Sequence, residues 1–243
     1  MPILQLLRPP TVMSRESPNS LADMTRNSRA EDMFATPLLC CMLKDVEALN
    51  AQLRDLILER ERAIAPMAKS NEGGWQSAPD FFSWGGSAVT ALEGYVGQAL
   101  QIATARLLGT TKFTMAFDLY GWAAVNRKGH YNTTHLHPMA TWSGSYYVDT
   151  GDEPPDAPGA VLEFTHPVAG AAMTFFPGVL PSARIVKPET GMLILFPSYL
   201  QHSVRMYHGE RPRICVAFNA HMRKGLAPFP LTGEGSREGK DPT

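Results

Sequence analysis

With 243 residues, 44% of them hydrophobic, the chain is long enough to bury a sizeable core as one large domain or two small ones. Lys and Arg total 22 against 23 Asp and Glu, a net charge of −1 that leaves no electrostatic footprint for nucleic acid or an acidic membrane. Cys40, Cys41 and Cys215 are too few and too irregularly spaced for a disulfide framework or a zinc–cysteine site, and an odd count fits a reducing cytoplasm.

The chain opens with MPILQLLRPPTVMSRESPNS, a short apolar run broken by Arg8 and Pro9-Pro10. It lacks a basic segment followed by a long apolar one, so it makes a poor secretory signal. No apolar run approaches the length of a membrane span. A soluble cytoplasmic protein is therefore expected. Residues 1–32 are polar and aperiodic and read as a flexible tail. From Asp45 to Ile64, Val46, Leu49, Leu53, Leu56 and Ile57 recur at helical spacing, with Asp45 placed to cap. The loop SNEGGWQSAPDFFSWGG follows, its Trp75, Phe81, Phe82 and Trp84 expected to pack between helix and sheet. Val89, Leu92, Val96, Leu100, Ala103 and Leu107 mark a second amphipathic helix, stopped by Gly109.

Beyond Gly109 the pattern turns to strands: Lys112–Asn126, Thr134–His137, Ser143–Val148, Ala160–Thr165, Met173–Phe176, Arg184–Lys187, Met192–Phe196 and Arg213–Asn219. Many short strands with turn punctuation suggest a sandwich or small barrel, with the two helices on one outer face. The domain plan is a single domain over 33–223, with a helical part at 33–110 and a β core at 111–223. A second flexible tail is expected at 224–243.

Residues 135–142 read HLHPMATW. On a strand, positions i and i+2 share a face, so His135 and His137 can aim at one point. The plain alternative is two solvated histidines. In GMLILFPSYLQHSV, Pro197 ends an apolar strand and a short turn delivers His202. In RICVAFN, Arg213 shares a face with Cys215, Ala217 and Asn219, and an inward guanidinium is costly unless an anion satisfies it. Its alternative is an exposed arginine paired with Glu210. Three ligands on one face of a metal leave room for a bidentate ligand and dioxygen, and the arginine can fork that ligand's far carboxylate. That is the layout of Fe(II)/2-oxoglutarate oxygenases.

NTTHLHPMATWSGSYYV, GMLILFPSYLQHSV and RPRICVAFN together resemble a family of 2-oxoglutarate-Fe(II) oxygenases with an N-x-x-H-x-H-P and S-G-x-Y-Y-V signature. FATPLLCCMLKDVEALNAQL and SNEGGWQS are similar to that family's N-terminal half, so the resemblance spans about residues 34–222. It implies a mainly β fold with N-terminal helices on a double-stranded β-helix, jelly-roll or cupin-like core. It makes His135, His137 and His202 the Fe(II) ligands and Arg213 the 2-oxoglutarate anchor. Tyr147 resembles the strand tyrosine that contacts the same carboxylate in prolyl-hydroxylase-type relatives. Asn132 and Asn219 match the motifs without an assigned role.

The implied activity is Fe(II)-, 2-oxoglutarate- and O2-dependent hydroxylation of a small-molecule or amino-acid-like substrate, with release of succinate and CO2. Desaturation or cyclisation shares the same chemistry. The expected partner is a small molecule, with neither nucleic acid nor membrane involved; a homodimer is left open. In the wider superfamily the second ligand is Asp or Glu, whereas this chain has His137; Glu163 in AVLEF is an alternative carboxylate ligand. His130 is a candidate for a pocket mouth, and Trp142 and Tyr146 for pocket walls or core. His166, His208 and His221 read as surface or capping histidines. Two other readings stand: a cupin-type metal dioxygenase without 2-oxoglutarate, suggested by Gly191, Pro197 and His202, and a non-catalytic small-molecule-binding β-barrel.

Overall fold

The computed structural model describes residues 35–154, 156–173 and 183–223. The expected tails 1–32 and 224–243 lie outside these residues, as does most of the expected strand Met173–Phe176. Strand β1 (Leu39–Met42) precedes helix α1 (Glu47–Ala63), two-residue strands β2 (Asn71–Glu72) and β3 (Trp75–Gln76), and helix α2 (Ser87–Leu108). Eight strands follow: β4 (Phe117–Asn126), β5 (Tyr131–His135), β6 (Trp142–Asp149), β7 (Leu162–Thr165), β8 (Ala183–Val186), β9 (Met192–Pro197), β10 (His202–Val204) and β11 (Arg213–Met222). They form a six-stranded sheet, β1-β9-β6-β11-β4-β3, and a five-stranded sheet, β2-β5-β10-β7-β8. This is the double-stranded β-helix that the sequence leads one to expect.

The six-stranded sheet is covered on both faces, and the period-2 alternation of its strands sorts residues between two cores. Tyr146 and Val148 of β6, Leu193 and Leu195 of β9, and Val216 and Phe218 of β11 face the helices, packing with Leu53, Ile57, Leu92 and Val96. Their neighbours Tyr147, Ile194, Phe196 and Cys215 point the other way and pack with Leu162 and Phe164 of the second sheet. Burial on both sides explains why β9 reads MLILFP without alternation and has every residue buried. Gly144 lies where strands crowd: a Cβ there would sit 2.4 Å from the Phe218 ring and 2.5 Å from the Ile194 carbonyl oxygen.

The helices form where their apolar spacing demands, but Asp45 does not cap α1. It sits at φ 55°, a left-handed turn residue, and Val46 occupies the cap position with no side-chain hydrogen bond. Gly109 does end α2, in the left-handed conformation at φ 66°. Strand β4 begins at Phe117 rather than Lys112, because its ladder partner β11 ends opposite it, at Met222. Trp75 and Phe81 are buried in the helix-side core, with Phe82 and Trp84 packed against it.

Candidate metal centre and its two cavities

His135 ends β5 and His202 begins β10, and the two are register partners across an antiparallel ladder. Direct partners present side chains on one face, and their ring centroids lie 4.3 Å apart. His137 reaches the same place by another route. Strand β5 stops at His135, so His137 stands in the loop beyond, not on the strand face that the spacing suggested. Its position is fixed by its backbone N–H, which donates to the Ser198 carbonyl at 3.1 Å. The Ser198 hydroxyl donates in turn to the Ala140 carbonyl, tying both sides of the loop to the end of β9. The His137 ring centroid is 5.1 Å from that of His135 and 5.2 Å from that of His202. One nitrogen from each ring lies within 4.8 Å of the others, and this trio could hold a metal ion.

The protonation states suit ligation. His135 Nδ1 is 2.7 Å from the Thr133 carbonyl oxygen and His202 Nδ1 is 2.9 Å from that of Leu200. A carbonyl only accepts, so both rings carry their proton on Nδ1 and leave Nε2 unprotonated, able to ligate a metal. Burial pushes all three imidazoles below the ordinary histidine range, His137 to about 4 and His202 to about 3, with the neighbouring His135 adding to both shifts. Near neutral pH the cluster is uncharged, as metal binding requires. Glu163 is not part of this trio. It pairs with Ser203 in the β7–β10 register, one position out of phase with His202, and forms an ion pair with Arg205.

A narrow cavity of about 70 Å³ is lined by the three histidines together with Tyr147 and Arg213. At roughly 10–15 Å³ per water-sized group, it has room for several polar atoms. Arg213 is 2% exposed, and its Nε has no hydrogen-bond partner among the described residues. Its only side-chain hydrogen-bond contact there is a weak one, from Nη1 to Cys215 Sγ at 4.0 Å. Glu210, the partner expected of an exposed arginine, instead binds Lys128. Tyr147 is buried, with its ring centroid 5.2 Å from the Arg213 guanidinium carbon. Burial raises its phenol far above the ordinary range, so the hydroxyl stays protonated and can donate. A buried guanidinium without an anion is an expensive arrangement, and a bidentate carboxylate is the group that satisfies it. Three neutral imidazoles and one orphaned guanidinium in the same cavity fit a divalent metal and an anionic chelator.

A second, wider cavity of about 610 Å³ shares His135, His137, Ser70, Gln76 and Trp122 with the first. Its wall is Tyr120 and Trp122, which share the inward face of β4, with Asn219 of β11 beside them. The Trp122 and His137 ring centroids are 5.6 Å apart. Ser70, from the loop between the helices, contributes a hydroxyl 3.4 Å from His135 Nε2. Ser70 and Ser198 are the site residues that sequence reasoning missed. Ser198 lies inside the motif FPSYLQH, which was the available signal.

Other expected residues fall elsewhere. Trp142 and Tyr146 face the helices, donating to Thr104 Oγ1 at 3.2 Å and Asn50 Oδ1 at 2.7 Å. His130 packs on Gly73 and accepts from the Arg127 backbone N–H. Asn132 lines the narrow cavity and reaches the Ser70 hydroxyl at 3.3 Å, while Asn219 accepts from Ser143 at 2.6 Å. His166, His208 and His221 engage Val168, Glu153 and Tyr120, away from the metal cluster.

Residues 120–219 match the family model described as "Putative 2OG-Fe(II) oxygenase". No curated protein matches the chain in sequence. Among solved structures, a Pseudomonas putida prolyl-4-hydroxylase is similar at 17% identity, covering 78% of this chain and 94% of its own, with a TM-score of 0.56. A prolyl hydroxylase from Trichoplax adhaerens, in complex with a hypoxia inducible factor peptide, is 10% identical over 76% of this chain and 83% of its own, with a TM-score of 0.53. HygX from Streptomyces hygroscopicus, with nickel and 2-oxoglutarate bound, is 15% identical over 76% and 83%, with a TM-score of 0.51. The chain thus carries, over residues 120–219, a match to the 2-oxoglutarate-Fe(II) oxygenase family so described, on the double-stranded β-helix fold that it shares with these structures.

Proposed function

We propose that the chain hydroxylates a small-molecule or amino-acid-like substrate with release of succinate and CO2. His135, His137 and His202 would hold Fe(II), and Arg213 with Tyr147 would hold the distal carboxylate of 2-oxoglutarate. The observation that carries this reading is Arg213, buried in the cavity that the three histidines line, with its Nε lacking a hydrogen-bond partner among the described residues. When bound, the metal and cosubstrate supply the oxidation: one O2 is consumed, 2-oxoglutarate becomes succinate and CO2, and a substrate C–H becomes C–OH.

The chain's own residues do the positioning. The Thr133 and Leu200 carbonyls fix the tautomers of His135 and His202, and the Ser198 tether sets the His137 loop. Arg213 and the protonated Tyr147 offer charge and an O–H donor to one carboxylate. Trp122, bordering both cavities, separates cosubstrate from substrate. A cupin-type site has no use for a buried guanidinium, and neither does an inert barrel.

The test is anaerobic. Fe(II) followed by 2-oxoglutarate should give a visible metal-to-ligand charge-transfer band, with succinate formed once O2 and a substrate are admitted. Stoichiometric iron without a band on cosubstrate addition would overturn the 2-oxoglutarate reading and favour the cupin one. No iron binding would favour the inert barrel.

A further inference from the structure

Charge at the site is one-sided. The linings of the two cavities contain Lys69 and Arg213 but no aspartate or glutamate. Where the wider superfamily places a carboxylate ligand, this chain has neutral His137, so the protein offsets none of the charge of a divalent metal. The dianion 2-oxoglutarate balances the metal alone, and two protein cations remain. Arg213 is committed to the narrow cavity. Lys69 is the charged residue of the wide one, exposed at its edge. Its backbone N–H donates to Asn71 Oδ1 at 2.8 Å, and its ammonium has no partner among the described residues.

The wide cavity has Tyr120 and Trp122 on one wall and Met67, Pro79 and Leu136 around it, interspersed with uncharged polar groups such as Ser77 and Thr133. At about 610 Å³ it lies in the range of small-molecule pockets. A cationic ligand would add to the uncompensated charge of Arg213 and Lys69, whereas an anionic one offsets it. Resting on the proposed 2-oxoglutarate reading, we infer that the substrate is a small anion, a carboxylate or phosphate on a flat apolar body. Its anion pairs with Lys69 and its body lies along Trp122 and Tyr120. Lys69 is thereby a specificity-determining residue.

The experiment uses the full chain, loaded with Fe(II) and saturating 2-oxoglutarate without O2, so that the Arg213 cavity is already filled. Cosubstrate binding is verified first by the charge-transfer band. Phenylacetate, phenyl phosphate and the neutral isostere phenylacetamide are then titrated by calorimetry against wild type, Lys69→Met and Lys69→Arg. At least one anion should bind about 10-fold tighter than the amide, the scale of a hydrogen bond to a charged group. Which anion gains more separates carboxylate from phosphate recognition. Lys69→Met should erase the preference and Lys69→Arg restore it, with 2-oxoglutarate affinity unchanged in both. Equal binding of anions and amide to wild type, or a preference that survives in Lys69→Met, would overturn the inference. Absence of the charge-transfer band in wild type would instead sink the 2-oxoglutarate reading, and this inference with it.

Discussion

His135 and His202 are direct partners across two antiparallel strands, and each donates its Nδ1 proton to the carbonyl two residues before it. The same local device therefore sets both rings, while His137 has no such bond among the described residues and depends on its loop. Ala at any of the three positions would remove one of the three proposed ligands. Fe(II) affinity should fall by more than about 100-fold in each variant, beyond the 10–100-fold that outer-shell changes cost. His137→Asp should keep stoichiometric iron, since a carboxylate adds charge at the same place. Iron content after anaerobic loading and desalting measures this; full iron in His137→Ala would remove that residue from the ligand set.

Arg213 should govern cosubstrate and not metal. Truncating one partner of a buried charged pair costs about 2–5 kcal/mol. At about 1.4 kcal/mol per decade, Arg213→Ala should weaken 2-oxoglutarate roughly 30- to several-thousand-fold. Arg213→Lys keeps the charge but loses the fork, and should fall between. The charge-transfer titration reads both, with Fe(II) content held as the control. Unchanged cosubstrate affinity in Arg213→Ala would take Arg213 out of the site.

The same residue predicts an effect on stability without any ligand. An unpaired buried guanidinium is a liability to the free protein, and an apolar replacement of similar reach removes it. Arg213→Met should therefore be more stable than wild type in the ligand-free form, by about 1–3 kcal/mol. Saturating iron and 2-oxoglutarate should reverse the order, because only wild type gains from binding. Denaturant midpoints of the two proteins, free and loaded, measure this. A ligand-free Arg213→Met that is clearly less stable would mean that the guanidinium already has a partner.

The sequence carried the large periodic elements and the chemistry, and lost what depends on long-range contact. α2 showed its apolar stripe and its Gly109 stop, and β9 and the ICVAF stretch of β11 showed continuous apolar runs because both faces of their sheet are covered. β1 did not show: it is four residues, LCCM, with alternate positions exposed, and exists because β9 offers it an edge. β2 and β3 are two residues each and exist as strands because β5 and β4 offer them edges. The three histidines were legible as residue types at plausible spacing, but the reason given for His137 was not the operative one. Strand alternation cannot place a residue beyond the strand's end; Ser198, some sixty positions on, does so.

Tyr146 separates fold from function. Its hydroxyl donates to Asn50 Oδ1 on α1, on the sheet face away from the histidines, and both residues are buried. Tyr146→Phe leaves the Asn50 amide oxygen without its donor, a loss of about 1–3 kcal/mol. Thermal unfolding should shift accordingly while Fe(II) and 2-oxoglutarate affinities stay unchanged. A matching loss of cosubstrate affinity would show that helix packing and the inner cavity are coupled.

Ser198 offers the converse. Its hydroxyl donates to the Ala140 carbonyl and its own carbonyl accepts the His137 N–H, so one residue closes the loop from both sides. Only the first bond is lost in Ser198→Ala, and the backbone bond survives. The Ala140 carbonyl then loses its donor, at a stability cost of about 1 kcal/mol typical of one net hydrogen bond. The larger effect should fall on the metal. The His137 ring has no hydrogen bond among the described residues, so its aim relies on the loop, and freeing the loop should weaken Fe(II) binding by about 10–100-fold. Ser198→Thr keeps the hydroxyl and should recover most of that affinity. A purely structural serine would lower the melting temperature in Ser198→Ala while leaving iron affinity intact, and Thr would then make no difference to the metal. Iron titrations on the two variants, compared with His137→Ala, decide between a residue that aims the ligand and one that merely ends a strand.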